Sequence, residues 1–543
     1  MIEAFTARSG APSLRIDGIS FHSPYDPRKE AARFVAENCG GGSPATIIVL
    51  GEGLGYVSEA AQAACPGARV IRIFYSKEIH DASAPGVPRW HPTAGLSVVD
   101  FLRRELGELD AEGLHVLEWA PAAQLFPQVA REARDGVRQV AQELGGSFST
   151  IASAGRLWMR NSICNFLNIQ VPLGGAPCAA DRPVLIAAPG PTLEEAIPLI
   201  TETRAAMNVW ALPSACAALL AAGVAPDLVV MTDPGYYAIH HLHFDAPGCP
   251  IAMPLSAARG TWDLHPSGPG PLSTFLLAEP VFYERVLLGS AGVAAPLIPP
   301  HGTVSATALE LALAFTTGPV IMSGLDMCSI DIRSHARPNA FDRMLQLQAD
   351  RCRPHYSLWY SRSAQLHDQP LAGSEGFRTT PAMRTYAGWF SALPAAGSRR
   401  IFRLLPSAVP IRGLQSLDRA GLHSLLKGFR TDPSSMPWHP LTDFPARGQR
   451  RDAVRRILAE WRAAIADPRD LLSRINDSLA IDQMPLALAL PCVIEPRGLV
   501  ACRKRLRRQD KAGAILAAEE ALDACRMFLD ALGQKSLDEQ RFP

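Results

Sequence analysis

Short apolar runs, each ended by Gly, Pro or a polar residue and followed by a helical apolar period, recur through the middle of this chain. Such runs read as buried parallel strands, and the periodic stretches as the helices covering them. Strands are predicted at 184–188, 208–212, 228–232, 251–255 and 320–323, and helices at 192–203, 215–222 and 304–315. The alternation predicts an α/β fold whose centre, residues 151–415, is a Rossmann-like, mainly parallel sheet. Residues 1–150 predict a smaller α/β domain. There TIIVLGEGLGYVSEAA reads as strand, glycine turn (Gly51, Gly53, Gly55) and helix, and a second strand follows at 69–74. From 416 to 543 strand signals fade and amphipathic helices predict a C-terminal helical domain.

Composition narrows the classes. At 543 residues the chain exceeds one core, and 48% hydrophobic with 19% charged residues fits a folded enzyme. A net charge of +1 gives no general pull toward nucleic acid. Eleven cysteines without a C-x-x-C pair read as reduced thiols, with neither a disulfide framework nor a zinc site. The N-terminus lacks an apolar signal core and the long apolar stretches are interrupted, so a cytoplasmic protein without membrane insertion is expected. Basic clusters at Arg450, Arg451, Arg455 and Arg456, and at Arg503, Lys504, Arg505, Arg507 and Arg508, read either as solvated helix faces or as a dock for an acidic partner.

Candidate chemistry collects where the central strands end. The stretch PVLIAAPGPTLEE bends at Gly190, Pro191 and Thr192 before a helix with Glu194 and Glu195 in its first turn. A glycine bend lets backbone approach a ligand, and a new helix offers unpaired N–H groups to an anion. LVVMTDPGYY sets Thr232, Asp233, Pro234 and Gly235 past another strand; HGTVSATALELALAF sets His301, Gly302, Thr303 and Ser305 ahead of a helix; VIMSGLD ends on Ser323, Gly324 and Asp326. Each also reads as capping or turn chemistry. Their recurrence within one α/β unit points to a shared pocket.

The order VLIAAPGPTL, VMTDPGYY, HGTVSATALELALAF, VIMSGLD resembles bacterial sialyltransferases that use a cytidine-monophosphate-activated sugar. Over nearly the whole chain, HSPYDPRKEA, VLGEGLGY, GRLWMRNSICNF, AAGVAPDLVVMTDP and SGLDMCSIDIRSHA resemble the motility-associated (Maf) flagellin glycosyltransferases. That resemblance implies transfer of a nonulosonic, sialic-acid-like sugar such as pseudaminic acid from its cytidine-monophosphate donor to Ser or Thr of flagellin. It implies no metal or other cofactor, and the only partners implied are donor and flagellin. A phosphate is expected near Gly190–Thr192 and near Gly302 and Thr303. Ser323 to Asp326 and Thr232 to Gly235 would hold nucleotide and sugar, and Asp233 would stabilise an oxocarbenium-like transition state. His335, where the Maf pattern carries a histidine, is the first candidate for general base and His301 the second, with phosphate-binding or structural roles open for either. The chain departs from the sialyltransferase pattern at Pro189, at Thr192 in place of Ser, and at Leu212-Pro213-Ser214, where Ser214 would meet the nucleotide. Ser407, in RLLPSAVPIRG, is a further nucleotide candidate.

Three alternatives stand beside this. The central fold also resembles archaeal hydroxymethylpterin diphosphokinases, whose chemistry needs magnesium, and Asp233 and Asp326 would then approach one another. A flagellin-binding chaperone with a decayed pocket is the second. For the N-terminal glycine turn, S-adenosylmethionine or dinucleotide binding competes with a structural or acceptor-binding role, and the next strand ends Phe74-Tyr75-Ser76 without the usual acidic residue. Asp26 and Glu30 read as functional or as helix-start capping residues.

Overall fold

The computed structural model describes residues 2–39, 43–86, 88–243, 246–261, 264, 272–299, 301–331, 333–364, 369–370, 376–393, 399–429, 438–476 and 483–537. They form two compact units, 157–455 and the combination of 1–156 with 456–543.

In the larger unit a ten-stranded sheet runs Gln415–Leu417, Ile401–Leu404, Val320–Ser323, Val184–Ala187, Asn208–Ala211, Leu228–Val230, Ile251–Pro254, Ser273–Leu277, Val171–Gly175, Trp438–Pro440. Neighbours are parallel throughout except the last pair, where Trp438 lies opposite Gly175. Val184 is level with both Asn208 and Val320, so the carboxyl ends share one rim. Connections leave Val184–Ala187 in one direction through Asn208–Ala211 and return on its other side with Val320–Ser323. Such a reversal opens the crevice where ligands of doubly wound sheets bind.

Alternation of side chains builds a core on each face. Leu185, Ala187, Val209 and Ile321 pack with helices Leu193–Thr203 and Pro213–Ala221, while Val184, Ile186, Val320 and Met322 pack with helix Val304–Phe315. The apolar runs therefore read correctly as strands buried on both faces. Ser273–Leu277, despite the apolar run from Phe275, and the edge strands were not among the predicted strands, and Trp438–Pro440, three residues long, lies in the region expected to be helical.

The smaller unit holds a parallel sheet ordered Arg89–Trp90, Arg69–Ile73, Thr46–Leu50, Leu114–Glu118, with an antiparallel sheet of Ile2–Thr6, Pro12–Ile16 and Ile19–Ser20. Its remaining helices include Leu486–Ile494, Pro496–Arg507 and Lys511–Leu537. This differs from three consecutive domains. The boundary near 150 falls inside one 42-residue helix, Pro127–Asn168; residues 416–455 join the central sheet, and 456–543 join the N-terminal unit. The physical reason is visible at two places. Helix Leu486–Ile494 is buried from Ala487 to Ile494, so it needs cover on every side. Arg503 is buried and its Nη2 donates to Asp110 Oδ1 at 2.9 Å. The basic clusters are accordingly not wholly solvated: Arg503 is spent on Asp110, and buried Arg450 donates to the Phe166 carbonyl within the central unit. Among the described residues no helix is long and apolar enough to cross a membrane.

Candidate functional site

The crevice between Val184–Ala187 and Val320–Ser323 is closed by the chain itself. Asp326 accepts from Thr192 N–H (2.9 Å), from Thr192 Oγ1 (2.6 Å) and from Ala408 N–H (3.1 Å), and it is 2% exposed. Its negative charge faces buried Arg403. Gly190 N–H donates to the Gly324 carbonyl, and a Cβ on Gly190 would stand 2.4 Å from Asp326 Oδ2 and from Gly324 O. Gly190 is thus required by a close approach of protein to protein. Ser407 Oγ lies 3.5 Å from the Leu325 carbonyl at the same place. A carboxylate therefore occupies the head of helix Leu193–Thr203, where a phosphate was expected, and Thr192 and Asp326 are spent on each other. Ser323 is fully buried and its Oγ has no hydrogen-bond partner among the described residues.

The other expected phosphate seat differs. Helix Val304–Phe315 precedes Val320–Ser323 and runs back against it, so its head lies at the carboxyl rim of the sheet. Gly302 turns the chain there at φ +73°, and among the described residues the side chain of the N-cap residue Thr303 makes no capping bond. His301 Nε2 stands 3.0 Å from Glu310 Oε2, with its ring 4.6 Å from Trp389. At the head of helix Pro213–Ala221, which carries Ser214, the N-cap residue is Leu212, whose side chain makes no capping bond.

Past Leu228–Val230, Asp233 is exposed and its Oδ1 accepts from Gly235 N–H at 2.7 Å, a turn-stabilising bond. Thr232 is half-buried beside it. Asp233 and Asp326 follow strands three positions apart, about 14 Å along the rim at ordinary strand spacing. They do not form a pair, which corrects that expectation. Among the described residues no three His, Cys, Asp or Glu side chains gather to hold a metal ion.

His335 belongs to a separate wall of the same rim. The next residue, Ala336, donates its N–H to the Pro189 carbonyl (2.7 Å), and Arg337 N–H donates to Glu194 Oε1 (2.9 Å), so this loop is fastened over the Gly190 turn. Ser334 Oγ meets His335 Nδ1 at 2.8 Å, and the ring stacks 6.2 Å from His241 and edge-on to Phe341 at 5.6 Å. Burial, then nearby Arg362, lowers the His335 pKa to about 4, so the ring is neutral at pH 7. It lines a small cleft with Arg333, Arg337, Arg362, Trp359 and Phe341.

Two further groups hold the rim and were not singled out by sequence. Asn161 donates to the carbonyls of Pro234 and Ser256, and Asn165 to those of Leu255 and Ala257. Their four-residue spacing on one helix face is the signal available in GRLWMRNSICNF. Glu284 accepts from Ser256 and Glu279 N–H, and Glu279 from Ser256 Oγ. Burial first, and for Glu284 the neighbouring Glu279 second, raises the pKa of both.

In the smaller unit the glycine turn is filled in the same manner. Fully buried Glu52 accepts from Gly53 N–H at 2.9 Å and from Ser58 N–H at 3.0 Å at the start of helix Tyr56–Ala64. His22 Nε2 accepts from Leu54 N–H, Asp26 caps helix Pro27–Asn38, and Glu30 accepts from Ser23 N–H.

Fold and rim together define a doubly wound α/β protein with a topological switch point beside Val184–Ala187. Residues 159–331 match the family model described as 6-hydroxymethylpterin diphosphokinase MptE-like. The structure is similar to that of the Maf glycosyltransferase from Magnetospirillum magneticum AMB-1, with a TM-score of 0.57 at 13% identity, covering 99% of this chain and 91% of that one. The chain therefore shares the Maf fold, as its motif order implies. Two uncharacterized proteins of Treponema pallidum (strain Nichols) are 24% identical over 300 residues and 29% identical over 210 residues. These alignments cover 55% and 35% of this chain, and the chain spans 62% and 70% of the respective relatives.

Proposed function

We propose that this protein is a glycosyltransferase that moves a nonulosonic sugar from a cytidine-monophosphate donor to flagellin hydroxyls in the cytoplasm, serving flagellar assembly and motility. What supports the reading is that the Gly190, Asp233, Asp326 and His335 segments follow strands of one parallel sheet and the Thr303 segment opens a helix against it, in a chain sharing the Maf fold over 99% of its length.

In this reading the donor phosphate lies at the head of helix Val304–Phe315, where the Thr303 side chain makes no capping bond and N–H groups and the helix dipole favour an anion. Thr192 and Asp326 hold the crevice in shape instead of touching phosphate. Neutral His335, oriented through Nδ1 by Ser334, takes the acceptor proton through Nε2. The exposed carboxylate of Asp233 supports positive charge developing at the anomeric carbon. The donor set needs no metal ion.

The match of 159–331 to the MptE-like family model favours one second reading, a pterin diphosphokinase. The commitment of Asp326 to Thr192 and Ala408 weighs against its serving as a magnesium ligand. Intact-mass measurement of flagellin incubated with this protein and a cytidine-monophosphate-activated nonulosonate should show added sugar mass, and His335→Asn should lower the rate at least 100-fold. Unchanged flagellin mass with the wild-type protein would reject the proposal.

A further inference from the structure

The cleft beside His335 has a composition that proton transfer does not require. Arg333, Arg337 and Arg362 line it against a single carboxylate, Asp342, together with Ser334, Ser363 and Asn339. Arg337 lies over the Trp359 ring at 5.4 Å and Arg362 over Phe341 at 4.1 Å. Neither guanidinium has a carboxylate within 4 Å among the described residues, and Arg333 reaches only Glu194 at 3.8 Å. A guanidinium stacked on an aromatic ring keeps its N–H edge free for a planar oxyanion. The enclosed space is small, about 40 Å³, so it takes an oxyanion group with the rest of the ligand at its open mouth. The bonds from Ala336 to Pro189 and from Arg337 to Glu194 fix these arginines beside the switch-point turn.

We propose that Arg337 and Arg362 form an oxyanion seat for a sugar substrate, taking either the carboxylate carried by an acidic sugar or the phosphate of its nucleotide. Two aromatic walls and Leu345 give the cleft apolar surface for the sugar ring, and the arginines set the ligand's orientation toward His335. The choice of sugar probe rests on the donor reading above, while the seat itself is read independently of any transfer.

Both arginines are exposed, so Arg337→Gln with Arg362→Gln should leave the fold intact, which an unchanged unfolding midpoint checks. Binding is measured by saturation-transfer NMR with N-acetylneuraminate, uncharged N-acetylmannosamine and cytidine monophosphate as separate probes. The expected result is at least a tenfold loss of N-acetylneuraminate affinity in the double variant, less than a twofold change for cytidine monophosphate, and weaker wild-type binding of N-acetylmannosamine. A tenfold loss for cytidine monophosphate alone would support the seat with phosphate as its ligand. Equal binding of both anionic probes by wild type and variant would overturn it, as would a wild-type protein that binds neither. Arginine-dependent N-acetylneuraminate binding without any cytidine monophosphate binding would keep the seat and reject the donor reading.

Discussion

Asp326 Oδ1 lies 2.6 Å from Thr192 Oγ1, and its Oδ2 accepts from Thr192 N–H at 2.9 Å. One buried side chain thereby caps the helix after one strand while standing in the loop after the neighbouring strand. Replacement by Ala would strand three donors, including Ala408 N–H, at a site closed to water. Asp326→Ala is expected to cost about 3–5 kcal/mol, and Thr192→Val about 1–2 kcal/mol, in urea unfolding. A Thr192→Val protein of wild-type stability would show that the bond contributes nothing.

Gly53 is required by sterics in the smaller unit: a Cβ there would meet His22 Nε2 at 2.1 Å and Phe21 Cε1 at 2.7 Å. Gly53→Ala is expected to destabilise by about 2 kcal/mol or more. Because Glu52 fills the helix head, neither S-adenosylmethionine nor NAD should raise the melting temperature of the wild-type protein. A shift above two degrees with either ligand would contradict this account of the turn.

The Asp110–Arg503 pair is buried at both ends, and Thr46 Oγ1 and Gly107 N–H also donate to Asp110. Removing one partner of such a pair leaves a desolvated charge. Arg503→Ala should therefore cost about 3–5 kcal/mol. Truncating exposed Arg508 should change stability by under about 0.5 kcal/mol. Equal effects in chemical denaturation would refute the distinction.

Protonation should bound stability on both sides. Burial lowers His22 to about 4, and burial chiefly lowers His241 and His335 to about 4. Between pH 4 and about 6.5 the unfolded chain binds more protons at these histidines, so stability should fall as pH drops through that window. Glu284 has the opposite sign. Its raised pKa makes the folded state hold the proton more tightly, so its contribution is full below about pH 4.3 and is lost as pH rises through the folded value. His22→Gln should reduce the acid slope of stability by up to about 1.4 kcal/mol per pH unit, and Glu284→Gln should flatten the alkaline one. Urea midpoints across pH 4–9 provide the check.

Much of the central sheet was legible because doubly buried strands need continuous apolar residues: the runs beginning at Val184, Asn208, Leu228, Ile251 and Val320 all became neighbouring strands. Trp438–Pro440 was not, since three residues at a sheet edge carry no period. The loops of the rim were legible as places but not as partners. A glycine bend before a helix looks alike whether its anion is a phosphate or the carboxylate of Asp326 or Glu52, because the attraction to N–H groups is the same. The arginines at 337 and 362 were illegible for another reason. Their significance lies in Trp359 and Phe341 beneath them, and nothing local in sequence pairs Arg337 with Trp359.

Calorimetric titration with cytidine monophosphate in the presence of EDTA tests most directly whether this rim grips a cytidylate-linked sugar. The account predicts near-stoichiometric binding that survives chelation, with ATP and magnesium unable to compete. No detectable heat with cytidine monophosphate, together with magnesium-dependent binding of ATP, would contradict it.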